Sequence, residues 1–242
     1  MKIEVWSDFV CPFCYIGKRR LEEALAQFPN RDQVEVEFKS FELDPNAQLY
    51  SGKNIHEALA SKYGVTVEEA KRMNSSVGQQ AQTVGLNFNF EEMKPTNTFD
   101  AHRLAKYAQT VGKEKEMTEQ LLHSYFEESK LISDHGILTE IAVSLGLDRE
   151  EVQKVLEDKT KFSNDVRLDE AFAQQIGVTG VPFFVINQKY SISGAQPTST
   201  FLGALQQVWK EEAPAPKLQD LSGDGAADAA CTDDSCAIPQ DK

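Results

Sequence analysis

From Lys2 to Trp6, polar and apolar side chains alternate in a β-favouring stretch, which predicts a first strand followed by a turn over Ser7 to Val10. From Pro12 the period changes. Ile16, Leu21, Leu25 and Phe28 follow helical spacing, and a proline suits a first helical position because its missing N–H is not needed there. Val34, Val36 and Phe38 then alternate with Glu35, Glu37 and Lys39, as a half-buried strand does. Strand, turn, helix and strand make a βαβ unit.

Between about Asp44 and Ile176 the pattern predicts helices over Ile55 to Tyr63, Val67 to Val84, Thr98 to Val111, Lys113 to Glu128, Ile137 to Leu145, Arg149 to Glu157 and Lys161 to Gln175. Asn97 is expected to cap one of them, with Asp100 three residues on, and Gly136, Gly146 and Gly177 mark breaks. This block reads as a helical layer without chemistry of its own. Strand signals return over Val181 to Asn187 and Lys189 to Ser193, and a helix follows from about Ser199 to Lys210. Sheet pieces at both ends with helices between them predict one α/β sheet interrupted by an insertion. The expected organisation is a domain built from residues 1–44 plus 177–212, an inserted helical domain over 45–176, and a tail over 213–242. The tail is rich in Ala, Pro, Gly and Asp and nearly free of large apolar residues, so it reads as a solvated extension.

Charge narrows the partners. With 25 Lys and Arg against 38 Asp and Glu, the net charge over 242 residues is −13, which repels nucleic acid and anionic lipid. No window of about 18 apolar residues is present to cross a bilayer. Glu4 and Asp8 interrupt the only stretch resembling a secretory leader, so the expected location is the cytosol. Four cysteines are too few for a disulfide scaffold, and in a reducing compartment closely spaced pairs are more often catalytic or metal-binding.

The first pair, in Cys11-Pro12-Phe13-Cys14, falls at the predicted head of a helix. A thiolate, not a thiol, attacks a disulfide, and unpaired backbone N–H groups with the positive end of a helix dipole favour that anion. Cys11 is therefore expected to be the exposed nucleophile and Cys14, one turn further in, the resolving thiol. Neither Pro12 nor Phe13 adds a charge that would raise the oxidising power. A zinc half-site is the main alternative, but no further C-x-x-C or H-x-x-x-H completes four ligands. Pro182, directly before an apolar strand, cannot donate to a ladder and marks a candidate cis bond.

The string Ser7-Asp8-Phe9-Val10-Cys11-Pro12-Phe13-Cys14-Tyr15-Ile16-Gly17 resembles the active-site signature of DsbA-like thiol-disulfide oxidoreductases, in particular their FrnE-like branch. Asn97 to Leu104 and Gly177 to Phe184 are similar to the same branch, in the same order, over about residues 1 to 210. The resemblance implies a thioredoxin-like fold with an inserted all-helical domain, a cis Val181-Pro182 peptide, and dithiol-disulfide exchange in which the Val181 and Pro182 backbone positions a substrate strand beside Phe13. The family more often carries Trp where Phe13 stands. Relatives on this fold include glutathione-using 2-hydroxychromene-2-carboxylate isomerases and kappa-class transferases, which typically have serine at the position of Cys11. The two cysteines favour dithiol exchange over those activities while leaving room for a glutathione site.

The expected function is thus an oxidoreductase or disulfide isomerase acting on protein cysteines, with no cofactor required and glutathione as a candidate electron donor. The sequence leaves the direction open among reductase, isomerase and stress-induced oxidant, and leaves the oligomeric state open. Cys231 and Cys236 read as a second redox pair ahead of inert tail thiols or a metal site completed with the first pair, since a linker of about twenty residues spans on the order of 25 Å. His102 is a candidate for lining the dithiol cleft, whereas His56, His123 and His135 lack ligand spacing. Asp8 is a candidate either for tuning the cysteines or for capping the Cys11 helix.

Overall fold

A computed structural model describes residues 1–212, together with the backbone of 231–232 and 235–236. Four strands form one sheet in the order β2-β1-β3-β4, with β1 Lys2–Ser7, β2 Glu35–Ser40, β3 Phe183–Ile186 and β4 Tyr190–Ser193. β1 runs parallel to β2 and antiparallel to β3, so the first and last parts of the chain share the central strand pair. The predicted βαβ unit is present, with α1 spanning Pro12–Gln27 as its crossover. A 3-10 turn at Arg31–Gln33, which the apolar pattern does not signal, leads into β2.

β1 is buried on both faces, which explains why its alternation is imperfect. Ile3 and Val5 pack with Leu21 and Ala24 of α1 and with Phe201 and Leu205 of α9, Thr198–Glu212. Trp6, on the opposite face, packs with Val178, Val185 and Ala173 of α8, Ser163–Gln175. Its indole N–H donates to the Asp169 carbonyl at 3.0 Å. A second, larger core joins Tyr15 and Ile16 of α1 to Leu104 of α4 (Phe99–Thr110), Leu121 of α5 (Glu114–Phe126), Leu138 of α6 (His135–Ser144) and Val152 of α7 (Arg149–Glu157). α2 (Ile55–Tyr63) and α3 (Val67–Gln82) begin at capping boxes, Asn54 with Glu57 and Thr66 with Glu69, which satisfy N–H groups that a helix start leaves open.

The edge strand β2 is closed by carboxylates. Glu114 Oε1 accepts from the Phe38 N–H, Asp169 Oδ2 from the Ser40 N–H, and Glu170 Oε1 from the Glu42 N–H just past the strand. Three alternate N–H groups of an otherwise pairing-prone edge are thereby occupied. The helical segment is therefore not the inert layer expected from its sequence.

Glu37, on the same strand, meets Lys2 and Lys39, each at 2.5 Å. Burial pushes its carboxyl up, but the hydrogen bonds from Lys2 and Lys39 outweigh it and hold the group at about 2. A carboxyl whose pKa is lowered by folding contributes stability above its unfolded value and loses it as pH falls toward the folded one. The stability curve of the wild type is therefore expected to drop between about pH 4.5 and 2 more than that of Glu37→Gln, as followed by urea unfolding at stepped pH. Parallel curves would remove Glu37 from the acid response.

Met1–Trp209 forms one compact unit and Lys210–Lys242 a second. In the tail, β5 Cys231–Thr232 pairs antiparallel with β6 Ser235–Cys236, placing Cys231 opposite Cys236. The rest of the predicted extension, 213–230, 233–234 and 237–242, lies outside the described residues.

Candidate active site

At the end of β1 the chain turns through Asp8, whose carbonyl accepts from the Cys11 N–H at 3.1 Å. Cys11 then stands in an extended conformation immediately before α1, with Pro12 at the first helical position. This is the arrangement read from the sequence. The Cys14 N–H donates to the Cys11 carbonyl at 3.0 Å, so the helix winds Cys14 one turn behind Cys11. Both are free thiols.

Their exposure corrects one expectation. Cys11 is only 5% accessible and Cys14 2%, whereas Phe13 between them is 39% accessible. Cys11 is covered because its thiol faces the Val181 carbonyl at 3.6 Å, and the Val181-Pro182 peptide is cis as expected. The Pro182 carbonyl accepts from the Gly194 N–H at 2.8 Å, which anchors the loop from behind. Gly17 makes the approach possible: a Cβ there would sit 3.1 Å from Pro182 Cγ and 3.3 Å from Phe184 Cζ. Gly17→Val is therefore expected to cost about 1–3 kcal/mol through overpacking and to slow thiol exchange by parting α1 from the loop. Unfolding midpoint and exchange rate measured together check this; wild-type values for both would show that α1 and the loop yield without cost.

Behind the thiols, burial pushes the Cys14 sulfhydryl well above its ordinary range, reinforced by the neighbouring Cys11. Opposing this, the Ser7 hydroxyl lies against the sulfur and the Asp8 N–H points to it at 3.5 Å. Asp8 does not cap α1 with its carboxylate. Its Oδ2 accepts from the Leu43 N–H at 2.8 Å and its Oδ1 lies 3.3 Å from His102 Nε2. Asp8 and His102 are 1% and 2% accessible, so this is a buried pair joining the dithiol turn to α4, with Phe9 packed against the imidazole at 4.6 Å. His102 thus reaches the turn that bears the cysteines. Asn97 is not the helix cap expected from the sequence: Thr98 holds that position without a side-chain cap bond, Asn97 Oδ1 accepts from the Phe99 N–H at 2.9 Å in a local turn, and Asp100 is engaged by Arg103 and His135.

Sequence reasoning missed the acids and hydroxyls around this pair. Glu42 is buried, and burial pushes its carboxyl up against the hydrogen bond that Arg167 donates at 2.6 Å. A glutamate inside the apolar Phe41-Glu42-Leu43 stretch was the one available signal. Among the described residues no group of three or more His, Cys, Asp or Glu is placed to hold a metal ion, and no helix is long and apolar enough to cross a membrane. Cys231 and Cys236 are placed here only by their backbone pairing.

A family model for the DSBA-like thioredoxin domain matches residues 2–206. The chain belongs to this family. This DSBA-like protein is a thiol-disulfide oxidoreductase, with the thioredoxin-like α/β fold expected of one. It is 40% identical to a probable DsbA oxidoreductase from Streptomyces coelicolor, whose crystal structure it matches with a TM-score of 0.85 over 99% of this chain and 100% of that one. It is 29% identical to YwbO, an uncharacterized protein of Bacillus subtilis, over 87% of this chain and 98% of the other. A 2-hydroxychromene-2-carboxylate isomerase shares the fold, with a TM-score of 0.66 at 15% identity over 88% of this chain and 98% of that chain. The DSBA-like fold alone therefore does not decide the chemistry, and the residues at its centre must.

Proposed function

We propose that this chain catalyses dithiol-disulfide exchange on protein cysteines in the cytosol, with Cys11 as nucleophile and Cys14 as resolving thiol. The observation that carries the reading is the Cys11 thiol at the head of α1, facing the Val181 carbonyl, with Cys14 one turn behind it. Cys11 attacks a substrate disulfide, giving a mixed disulfide and a free substrate thiolate, and Cys14 then displaces the second substrate sulfur. An incoming strand lines up on the Val181 and Pro182 backbone and displaces the thiol contact there, while the exposed Phe13 ring supplies apolar contact. Asp8 and His102 tune the site by fixing the turn that bears both cysteines. Four cysteines in 242 residues and a net charge of −13 suit a reducing compartment and a protein substrate.

Cys231 and Cys236 form a second redox pair that exchanges with the first. Directly opposed residues of an antiparallel ladder have Cα atoms about 4.5–5.5 Å apart, inside the roughly 4.4–6.8 Å that a disulfide spans, so the register supports a local bridge. Glutathione serves as a source of electrons for the oxidised protein, and the cycle needs no bound cofactor. Residues 1–44 with 177–212 act as the thioredoxin-like domain and 45–176 as its helical insertion, and the three motifs in order support the FrnE-like branch.

The test is insulin reduction, together with refolding of a scrambled disulfide substrate, by the full chain and by a form truncated after Glu212. The full chain is expected to accelerate one or both. No acceleration of either sinks the reading, and equal rates for the truncated form remove the tail pair from the mechanism.

A further inference from the structure

A cleft of about 540 Å³ opens where α1, β2, α5 and the end of α6 meet. That volume falls within the roughly 300–1,000 Å³ of small-molecule sites. Its floor is apolar: Leu21 is buried, while Leu25, Val36, Phe38 and Leu145 are only partly covered. Neither cysteine lines it, nor does the Val181 loop, so the cleft is a separate place from the dithiol.

The rim is charged, yet its charges are already matched with one exception. Glu119 of α5 ties that helix to α1 by accepting from the Tyr15 hydroxyl at 2.7 Å, from Lys18 at 2.6 Å and from Arg19. Burial pushes the Glu119 carboxyl up, but Lys18, Tyr15 and Arg19 outweigh it and hold the group below its usual range, so the tie stays ionic at neutral pH. Both oxygens of Glu22 are taken, one by Lys18 at 2.5 Å and the other by Arg19 at 2.9 Å. Glu116 accepts from Lys113 at 3.1 Å. Lys115 is the exception. It is exposed on the first turn of α5, acts on Glu116 only at a distance, and makes no ion pair or hydrogen bond among the described residues.

We infer that this cleft binds a small amphiphile with one anionic group, its apolar chain on the floor formed by Leu21, Leu25, Val36 and Phe38 and its head against Lys115. The inference goes beyond dithiol exchange and does not rest on it. A cationic head would find each acid of the rim occupied, and an uncharged ligand would gain the floor alone. An anionic head gains both the floor and the one cation without a partner. With a net charge of −13 the protein repels anions at long range, so selection rests on this near charge and on burial of the chain rather than on steering.

Decanoate titrated calorimetrically onto the full chain tests this. It is expected to bind saturably, one equivalent per chain, and octanoate about tenfold more weakly, since each buried CH₂ is worth about a factor of four. Lys115→Glu turns an attraction into a repulsion and should weaken decanoate about tenfold, while decyltrimethylammonium should bind this variant more tightly than the wild type. Lys115 is exposed and unpaired, so its replacement leaves the fold intact. A decanoate bearing a diazirine at the end of its chain should label the segments that hold Leu25, Phe38 or Leu145. No saturable binding, or equal affinity for decanoate in wild type and Lys115→Glu, overturns the inference. So does label confined to other surfaces, such as the exposed Leu168, Phe172 and Ile176 of α8, because the amphiphile would then be coating apolar surface rather than filling the cleft.

Discussion

Arg103→Ala is expected to destabilise the protein by about 3–5 kcal/mol, the range for removing one partner of a buried charged network. Arg103 is wholly buried, an uncommon place for a guanidinium, and each part of it is used. Nε donates to the Lys161 carbonyl at 2.8 Å and NH1 to Asp100 Oδ1 at 2.6 Å. NH2 donates to the carbonyls of Val155 and Asp158, where the last turn of α7 leaves acceptors without a partner inside the helix. One side chain of α4 therefore satisfies the end of α7, and the loop that leads into α8. Alanine would leave three carbonyls without this donor and open a cavity beside Phe99, whose ring the guanidinium approaches to 5.9 Å. Urea unfolding should give a lower midpoint with an unchanged slope. Arg103→Lys should recover only part of the loss, because an ammonium lacks the planar fork that serves several acceptors together. A loss below about 1 kcal/mol for the alanine variant would mean that water replaces these bonds without cost.

Arg103 also marks the limit of what could be read from the sequence. α2 and α7 span their predicted residues because a local cap fixes each start: Asn54 accepts from the Glu57 N–H and Asp148 from the Glu151 N–H. Local chemistry also decides the places where prediction slipped. α6 starts at His135 rather than Ile137 because Asp134 caps it, a signal outweighed by the apolar period of Ile137 and Ile141. α8 starts at Ser163 rather than Lys161 because Phe162 adopts a left-handed conformation, with φ 58°, that no helix propensity announces.

The dithiol followed the same division. A C-x-x-C at a strand-to-helix turn and a proline before an apolar strand are short-range patterns, and both cysteines and the cis peptide stand where those patterns put them. Partners remote in sequence carry no such pattern. Asp8 and His102 are 94 residues apart, and Glu114 closes on Phe38 over 76. Only packing of the helical segment against β1, β2 and α1 brings these groups together, so a reading that treated the segment as chemically silent could not find them. A place at the head of a helix predicts an exposed Cys11, but the Val181 loop that covers it comes from the far end of the chain.

The strongest functional contrast is expected between Cys11→Ser and Cys14→Ser. Cys11→Ser should reduce insulin turnover to background, since hydroxyl replaces the sulfur that faces the substrate-side loop and Cys14 lies one helical turn behind it. Cys14→Ser should lose turnover to a similar extent but by another route. Cys11 still attacks, no second thiol follows, and the mixed disulfide accumulates to about one equivalent per chain, visible as a mass increase that a reductant reverses. The same variant separates dithiol exchange from glutathione-dependent isomerase or transferase chemistry on this fold. A glutathione enzyme needs no second protein thiol and would keep its rate in Cys14→Ser at turnover concentrations of glutathione. Full activity in Cys11→Ser would overturn the assignment of the nucleophile. Full activity in Cys14→Ser, with no trapped adduct, would leave Cys11 in place and replace the resolving thiol by glutathione or by the tail pair, which the form truncated after Glu212 tells apart.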